Sequence, residues 1–364
     1  MTPQARIVNR CADFAVSLKE DAGAAARPPD VDGIAPLRQH RGMHAVGVDL
    51  GGTKVQGVVV DQDGGRLGEA RGRTPAGGGP AAVVAEIAAV VKAATKDAKV
   101  ASRRLAGVGI GSPGLVDVVT GRVSGAANLP GFGDPVPLGP LVADAVGVKV
   151  RVGNDVSVAT LAEHRLGAGR GFDDLLVVFA GSGVGGGLVL GGRLWPGSHG
   201  AAGEIGHMVV VEGGELCPCG RRGCMEAYAG RVAMERQARA AAAAGRPTEL
   251  LAIQERQGRP RMTSGVFKTA LDAGDPLAHE LIERAVQALA TAIASAVNLV
   301  DVQAVLIGGG LGDKLGEPFV RRIETAMVPH LFARPSPLRV LPGALSDYAG
   351  ATGAALLVAD AAPG

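Results

Sequence analysis

Short apolar runs recur along most of the chain, and most of them end in glycine-rich or turn-forming residues. Residues 45–49 form one such run, and residues 56–60 form another, just after the glycine pair at 51–52. Asp61-Gln62-Asp63-Gly64 then has the composition of a tight turn. The pattern predicts a β-hairpin, so a strand and not a helix follows the first glycine loop.

Longer segments with helical spacing lie between further apolar runs. Residues 80–98 and 276–297 carry apolar side chains three and four positions apart, which predicts amphipathic helices, and we expect another helix at 156–166. Strands that alternate with helices indicate an α/β fold, and the early hairpin makes the sheet mixed. The remaining predicted strands are 105–110, 148–152, 175–179, 187–190 and 304–307.

The domain organisation follows from length and from a change of composition near residue 43. Residues 1–42 contain Ala-Ala-Ala-Arg-Pro-Pro and scattered charges, so we expect a loosely ordered extension, or alternatively a small partner-binding arm. The remaining length suits two domains. We assign 43–155 to a small α/β domain with the first glycine loop and 156–345 to a larger one. A C-terminal helix at 346–360 is expected to pack back on the small domain.

Composition and charge exclude several classes of protein. Of the 364 residues, 47% are hydrophobic and 20% are charged, which is typical of a globular protein with a large core. The net charge of +2 is mixed along the chain, so no basic stripe for nucleic acid is expected. No apolar run reaches the roughly 18 residues of a membrane span, and the N-terminus lacks a signal-peptide pattern. We therefore predict a cytoplasmic protein with neither a nucleic-acid nor a membrane partner.

Three of the four cysteines lie close together in the sequence, shortly after a histidine. His207, Cys217, Cys219 and Cys224 have the spacing His-x9-Cys-x-Cys-x4-Cys, with glycine and proline between the thiols. Three thiolates and an imidazole suit tetrahedral Zn²⁺, and crowded cysteines in a cytosolic protein favour metal over disulfides. Four protein ligands predict a closed, structural zinc site. The alternative is three unrelated thiols near a surface histidine.

Three glycine-rich loops, each after a predicted strand, predict contacts with phosphate. Asp49-x-Gly-Gly-Thr-Lys lacks the following helix that a Walker A loop or a dinucleotide fingerprint needs, but backbone amides in a glycine hairpin can still bind phosphate oxygens. In this interpretation Asp49 holds Mg²⁺, through water. A tight turn explains a single glycine run more often than not, so the prediction depends on finding three such runs, each after a strand. The candidate nucleotide-binding residues are Asp49, Gly51, Gly52, Thr53, Lys54, Gly181, Ser182, Gly183, Gly185, Gly308, Gly309 and Gly310.

Candidate acidic residues lie at a strand end and beside the cysteine cluster. Asn154-Asp155 falls where a predicted strand meets a predicted helix. A helix N-cap is the simple explanation, and a general base that accepts a proton from a hydroxyl during phosphoryl transfer is the functional one. Glu204 and Glu226 flank the zinc ligands, so a bound metal would hold both carboxylates in place for a hydroxyl-bearing ligand. Otherwise they are ordinary surface charges.

Together these motifs resemble the ROK (repressor, open reading frame, kinase) family, and its bacterial glucokinases in particular. The resemblance rests on Gly-Ser-His-Gly-Ala-Ala-Gly-Glu-Ile-Gly-His at 197–207, Cys-Pro-Cys-Gly-Arg-Arg-Gly-Cys-Met-Glu at 217–226 and Asp-Leu-Gly-Gly-Thr-Lys at 49–54. It covers about residues 44–358. This sequence has Ser157, Ser182 and Phe132 where relatives commonly carry Asn, Thr and Trp.

The resemblance implies an actin-like ATPase fold with a cleft between two α/β domains, and an ATP-dependent kinase for a hexose, most simply glucose. It implies Asp155 as general base, and sugar contacts from Asn154, Glu204, His207 and Glu226. It also suggests a homodimer or homotetramer. The alternatives are a kinase for mannose, fructose or N-acetylmannosamine, a polyphosphate-using kinase, and a sugar-sensing repressor. Residues 1–42 show no pair of amphipathic helices for the repressor's helix-turn-helix module.

Overall fold

A computed structural model of the chain describes residues 43–126, 128–198 and 200–359. The extension predicted at 1–42 lies outside these residues, as does the last residue of the helix predicted at 346–360. The described elements, in chain order, are β1 (His44–Leu50), β2 (Val55–Val60), β3 (Arg66–Gly72), α1 (Gly79–Asp97), β4 (Leu105–Ser112), β5 (Leu115–Asp117), β6 (Arg122–Ser124), α2 (Leu138–Val146), β7 (Val150–Asn154), α3 (Asp155–Leu166), β8 (Leu175–Ala180), β9 (Val184–Leu190), β10 (Arg193–Trp195), α4 (Glu226–Ala229), α5 (Arg231–Ala243), α6 (Leu250–Arg256), α7 (Ser264–Asp272), α8 (Pro276–Val300), β11 (Ala304–Gly308), α9 (Gly309–Met327), β12 (Arg339–Pro342) and α10 (Ala349–Ala359).

The first sheet contains the predicted hairpin and has the strand order β3-β2-β1-β4-β7. Strand β1 runs antiparallel to β2 and parallel to β4, and β4 runs parallel to β7. The predictions of a hairpin and of a mixed sheet are therefore confirmed. Alternate residues of β1, Val46 and Val48, are buried against Val83 and Ile87 of helix α1, because successive side chains of a strand point to opposite faces.

Helix α10 covers the opposite face of the first sheet. It contacts β1 and β4, and it also packs along α3. Its backbone comes so close to the sheet that a Cβ atom on Gly109 would collide with the carbonyl oxygen of Ala354. Glycine at this point of β4 therefore lets the C-terminal helix lie directly on the strands, near the end where β1 stops. The boundaries proposed for the two domains remain a prediction.

The second sheet has the order β10-β9-β8-β11-β12 and is also mixed. Strand β8 is antiparallel to β9 and parallel to β11. The long helix α8 packs with Val305 and Ile307 of β11 in the largest core cluster, and it begins where the Asp275 side chain accepts a hydrogen bond from the Ala278 amide at 2.8 Å. Within the described part of the chain, no helix combines the length and apolar character that crossing a membrane needs.

A buried carboxylate anchors the segment that leads from the second sheet back to the first. The side chain of Glu163 in α3 is 1% exposed. It accepts hydrogen bonds from the backbone amides of Ala168 at 3.1 Å, Ala344 at 2.9 Å and Leu345 at 2.8 Å. Residues 344–345 lie between β12 and α10, so Glu163 fixes the chain just before the helix that packs on the first sheet.

Replacing this carboxylate should cost substantial stability. We expect Glu163→Gln to lower the free energy of unfolding by about 3 kcal/mol, because the amide loses charge-assisted bonds and turns an N–H group toward buried donors. Denaturant unfolding monitored by circular dichroism measures the change. As a control, Glu317→Gln removes an exposed partner of Arg321 and should change stability by less than about 0.5 kcal/mol. Equal effects of the two substitutions would contradict the anchoring role.

Candidate active site

The carboxyl ends of three parallel strands meet at one edge of the first sheet. Asp49 at the end of β1 is in register with Gly111 of β4, and Ser112 of β4 is in register with Asn154 of β7. Burial, and then the negative charge of Asp155, raise the pKa of Asp49 to about 6, although Lys54 opposes the shift. Asp49 and Asp155, which are distant in sequence, are therefore electrostatic neighbours at this edge.

The junction of β7 and α3 positions Asn154 and Asp155. The strand continues through Asn154 and the helix begins at Asp155. The predicted strand 148–152 therefore lies two residues too early at both ends, and the predicted helix 156–166 starts one residue late. Oδ1 of Asn154 accepts hydrogen bonds from the amides of Val156 at 3.0 Å and Ser157 at 3.1 Å. Asn154 is thus the N-cap, the simple role considered from the sequence, while its Nδ2 lies 3.4 Å from the Gly114 carbonyl oxygen.

Asp155 is a partly buried carboxyl that faces further negative charge. Its Oδ1 accepts a hydrogen bond from the amide of Val156 at 2.9 Å. Burial is the largest influence and raises its pKa above the usual range for aspartate, and the charge of Glu204 raises it further, while the Val156 amide lowers it. Glu204, in the segment before the cysteine cluster, is therefore close enough to Asp155 for its charge to act on that carboxyl.

The four predicted metal ligands come together in space. Their donor atoms all lie within 4.8 Å of one another. Nδ1 of His207 is 3.8 Å from Sγ of Cys217, and Sγ of Cys219 is 3.7 Å from Sγ of Cys224. These separations suit ligands arranged around one Zn²⁺ at about 2.0–2.3 Å. We call this cluster of His207, Cys217, Cys219 and Cys224 the cysteine knot, a name used here for the set of metal ligands and not for interlocked disulfides.

Backbone hydrogen bonds shape the cysteine knot. A turn is closed by the Cys217 amide, which donates to the Arg221 carbonyl oxygen at 2.8 Å. An isolated bridge between Val209 and Cys224 brings the last thiol back beside the chain that follows His207. The donor set thus belongs to a locally folded unit.

Both glutamates predicted beside the metal ligands lie close to residues of the cysteine knot. Oε2 of Glu204 lies 3.9 Å from Nε2 of His207. The other ring nitrogen of His207, Nδ1, is the one beside Cys217. Oε2 of Glu226 accepts a hydrogen bond from the Val184 amide at 2.8 Å, and its Oε1 lies 3.7 Å from Sγ of Cys217. Any side chain at Gly183 would collide with the Glu226 carboxylate. Glu226 therefore links the cysteine knot to the start of β9.

The first glycine loop is a tight turn between β1 and β2. The Gly51 amide donates to the Lys54 carbonyl oxygen at 2.9 Å, and Gly52 lies against the side chain of Asn128. Thr53, at the tip of the turn, is exposed. Lys54 forms an ion pair with Asp347 at 3.1 Å.

Phe132, which stands where relatives commonly carry tryptophan, is buried in the core between the first sheet and α1. It fills space among apolar side chains. Its replacement of the tryptophan common in relatives is therefore accommodated within that core.

The second and third glycine loops differ from the predicted ones. Strand β9 begins at Val184, not at residue 187, so the predicted loop 181–186 was too long and only Gly181, Ser182 and Gly183 form the turn. Gly185 lies in the strand and packs against Val156 of α3, where a Cβ atom would be 2.6 Å from a methyl carbon. Here glycine serves close packing within the sheet.

The third glycine run is a strand-to-helix junction. Gly308 ends β11, whereas Gly309 and Gly310 begin α9, a helix broken by non-helical backbone at Gly316. Gly309 has φ of 80°, which favours glycine. A Cβ atom there would lie 2.8 Å from the Ala180 carbonyl oxygen, so the third run adjoins the start of the second loop.

The structure also brings two charged residues to the site that the sequence reasoning missed. Arg231 donates a hydrogen bond to Oγ of Ser182 at 2.7 Å, and Asp347 pairs with Lys54. The position of Arg231, five residues after Glu226, was the only sequence signal for the arginine. Asp347 is far along the chain from every glycine loop, and nothing in its surroundings indicated its role.

The chain has two mixed sheets and a glycine hairpin at the first strand. Together with its similarity to solved ROK kinase structures, these features place it in the class of proteins with the actin-like ATPase fold. Within this class, the cysteine knot points to one family. The chain belongs to the ROK family, whose sequence model matches residues 45–361.

Individual relatives in sequence and structure are sugar kinases. Glucokinase of Thermotoga maritima is 33% identical over 319 residues, which are 86% of this chain and 96% of that protein. N-acetylmannosamine kinase of Escherichia fergusonii is 31% identical over 317 residues, covering 86% of this chain and 98% of that protein. The crystal structure of a Streptomyces griseus ROK glucokinase in complex with glucose and AMPPNP superimposes with a TM-score of 0.73 at 33% identity, covering 86% of this chain and 98% of that one.

Proposed function

We propose that this chain transfers the γ-phosphoryl group of ATP to the 6-hydroxyl of a hexose, with glucose as the preferred substrate. The observation that carries the proposal is the position of Asp155. It directly follows β7 at the carboxyl end of the first sheet. After burial, its charge raises the pKa of Asp49 in the first glycine hairpin, and the charge of Glu204 beside the cysteine knot raises the pKa of Asp155 itself. The similarity to glucokinases supports glucose as the acceptor.

In this proposal the sugar binds between the tip of β7 and the cysteine knot. Oδ1 of Asn154 caps α3. Its Nδ2 carries two hydrogens, of which one is directed at the Gly114 carbonyl oxygen, so the other would donate to a sugar hydroxyl. Glu204 and Nε2 of His207 lie on the same side of the knot. Glu226 completes the set because its carboxylate is held at the Gly183–Val184 corner. Several carboxylates and one imidazole are well suited to accept and donate hydrogen bonds with a polyhydroxyl ligand.

The nucleotide binds along the glycine loops, with Mg²⁺ held by Asp49. Burial is the largest cause of the raised pKa of Asp49, and the charges of Asp155 and Asp347 add to it. A divalent cation bound to Asp49 would offset these negative charges. When bound, Mg²⁺ neutralises phosphate charge during transfer. Backbone amides of Gly51, Gly52 and Gly181–Gly183 and the hydroxyls of Thr53 and Ser182 would contact phosphates, and Gly308–Gly310 would lie beside the rest of the nucleotide.

The cysteine knot would hold one structural Zn²⁺. His207 would ligate through Nδ1, which faces the thiols, and would keep Nε2 free for the sugar. Metal ligation fixes the orientation of an imidazole ring. A filled coordination shell leaves the metal no chemical step in the reaction, so its contribution is to position Glu204, His207 and Glu226.

The proposed chemical step is general-base catalysis by Asp155. Its carboxylate accepts the proton of the 6-hydroxyl as that oxygen bonds to the γ-phosphorus and the bond from phosphorus to the ADP oxygen breaks. Burial and the charge of Glu204 make the carboxyl more basic than an ordinary aspartate. A more basic carboxylate accepts a hydroxyl proton more readily.

This assignment predicts a specific pH dependence. The reaction needs the carboxylate form of Asp155, so kcat/KM for the sugar should fall as pH decreases, with a midpoint above the ordinary aspartate value of about 3.9. The negative charge of Glu204 raises the pKa of Asp155, so Glu204→Gln should lower that pKa and move the acid limb to lower pH. Initial-rate profiles of both proteins measure the shift. Glu212→Gln, an exposed change nearby in sequence, is the control, and an acid limb that stays in place in Glu204→Gln would refute the coupling.

A coupled assay of ATP consumption with a panel of hexoses tests the proposed function. We expect glucose to give the highest kcat/KM, with glucose 6-phosphate as the product. Faster turnover of N-acetylmannosamine, mannose or fructose would establish a different sugar specificity. Activity with polyphosphate alone would show that polyphosphate, and not ATP, is the phosphoryl donor. The absence of turnover, together with a shift of promoter DNA in a gel, would favour the repressor alternative. A cytoplasmic location and a homodimer or homotetramer remain predictions.

A further inference from the structure

Arg231, the first residue of α5, is a partly buried cation that contacts glycine loops and hydroxyls. Its backbone amide donates to the Gly181 carbonyl oxygen at 3.1 Å. Its guanidinium donates to Oγ of Ser182 at 2.7 Å and reaches Oγ of Ser264 at 3.5 Å. A Cβ atom on Gly310 would lie 3.7 Å from Nη1. The second and third glycine runs and the start of α7 therefore converge on this one side chain.

Among the described residues, the guanidinium has no carboxylate at ion-pair distance. Across the described ranges, no carboxylate oxygen lies within 4.0 Å of it, whereas Arg239 and Arg246 are each paired with a glutamate at 2.7 Å. Arg231 is also partly buried, and this desolvation lowers its pKa. The charge of Glu235, one turn further along α5, opposes this shift, but its carboxylate is paired with Arg239. A desolvated cation whose hydrogen bonds go only to neutral hydroxyls favours the binding of an anion, and the planar fork of arginine suits a phosphate.

Its position along the second loop indicates which phosphates it reaches. Glu226 marks the Gly183–Val184 end of the loop, which lies toward the proposed sugar. Arg231 lies at the Gly181–Ser182 end, next to Gly310. The transferred γ-phosphoryl group must be near the sugar, so the remaining two phosphates extend toward Arg231.

On the basis of the proposed function, we propose that Arg231 is a nucleotide-binding residue that pairs with the α- and β-phosphates, the part of ATP that leaves as ADP. Charge accumulates on this leaving group as the bond to the γ-phosphorus breaks. The arginine would then bind ATP and ADP alike and would make no contact with the base or the sugar.

Direct binding measurements with Arg231→Met test this assignment. We expect the Kd of ADP and of ATP, measured by titration calorimetry, to rise on the order of tenfold to hundredfold, the range for a charge-assisted bond. The Kd of glucose and the inhibition constant of adenosine should stay within about twofold. Arg246→Met, which also removes one positive charge but from an exposed pair, should leave all four values unchanged.

The alternatives give different results. Equal weakening of ADP and adenosine would mean that Arg231 acts on the base or only shapes the loop, and an unchanged ADP affinity would overturn the proposal outright. Arg231→Lys keeps the positive charge but loses the forked guanidinium, so it should weaken ADP binding several-fold. This variant replaces Arg231→Met in the test if the methionine variant does not fold. Because ADP binding needs no turnover, a protein that phosphorylates no hexose but binds ADP through Arg231 would refute only the proposed reaction.

Discussion

Replacing Asp155 with asparagine is expected to lower kcat about a hundredfold or more while changing glucose affinity only modestly. Asparagine keeps the shape of the side chain and can still accept a hydrogen bond, but it cannot take the proton of the attacking hydroxyl. General-base catalysis usually contributes at least this factor. Steady-state kinetics with saturating ATP give kcat, and calorimetry without nucleotide gives the Kd of glucose.

The interpretation of Asp155→Asn depends on separating chemistry from folding. Asp155 is the first residue of α3, and its carboxylate accepts a hydrogen bond from the backbone amide of Val156. Because the substitution changes this contact at the start of a helix, thermal unfolding of the variant should be measured as well. Asp144→Asn, an exposed change in α2, is the matched control and should retain full kcat. An Asp155→Asn protein with near-normal turnover would rule out Asp155 as the base.

Loss of a buried cysteine of the knot should produce the second large effect. We expect Cys217→Ser and Cys224→Ser to lose the bound zinc, to lower the thermal unfolding midpoint by about 10 °C or more, and to raise KM for glucose strongly. Structural zinc sites contribute directly to folding free energy. The knot also holds Glu204 and Glu226 in place through His207 and Cys217. Elemental analysis, thermal scans and glucose kinetics measure the three consequences.

The fourth cysteine supplies the control for the zinc experiment. Cys11→Ser changes a thiol outside the described residues, and we expect it to retain one zinc per chain and unchanged kinetics. A Cys217→Ser protein that keeps its zinc would show that the knot is not the metal site. A protein that loses zinc without losing glucose affinity would show that the knot does not position the sugar-binding side chains.

The features predicted correctly from sequence are those whose signal is local. The hairpin of β1 and β2 follows from two apolar runs around a glycine turn, and the structure confirms it. The grouping of the knot ligands also follows from short spacing, since the last ligand, Cys224, lies only 17 positions after the first, His207. Short chain distance limits how far apart such residues can lie.

The features that were missed depend on tertiary contacts. The start of β9 at Val184 is set by pairing with β8, and the glycines there pack against α3, so a glycine run looked like a loop. Gly309 and Gly310 were read as a loop, but they begin a helix. Arg231 and Asp347 reach the site only through folding, because each is a single charged residue with no motif around it.

The most direct test of the account is to follow ATP and glucose with the purified protein by ³¹P NMR. We predict that the γ-phosphate signal disappears while the signals of glucose 6-phosphate and ADP grow in a one-to-one ratio, and that the Asp155→Asn protein forms both at no more than about one hundredth of that rate. Release of inorganic phosphate in place of a sugar phosphate, or equal rates for the two proteins, would contradict it.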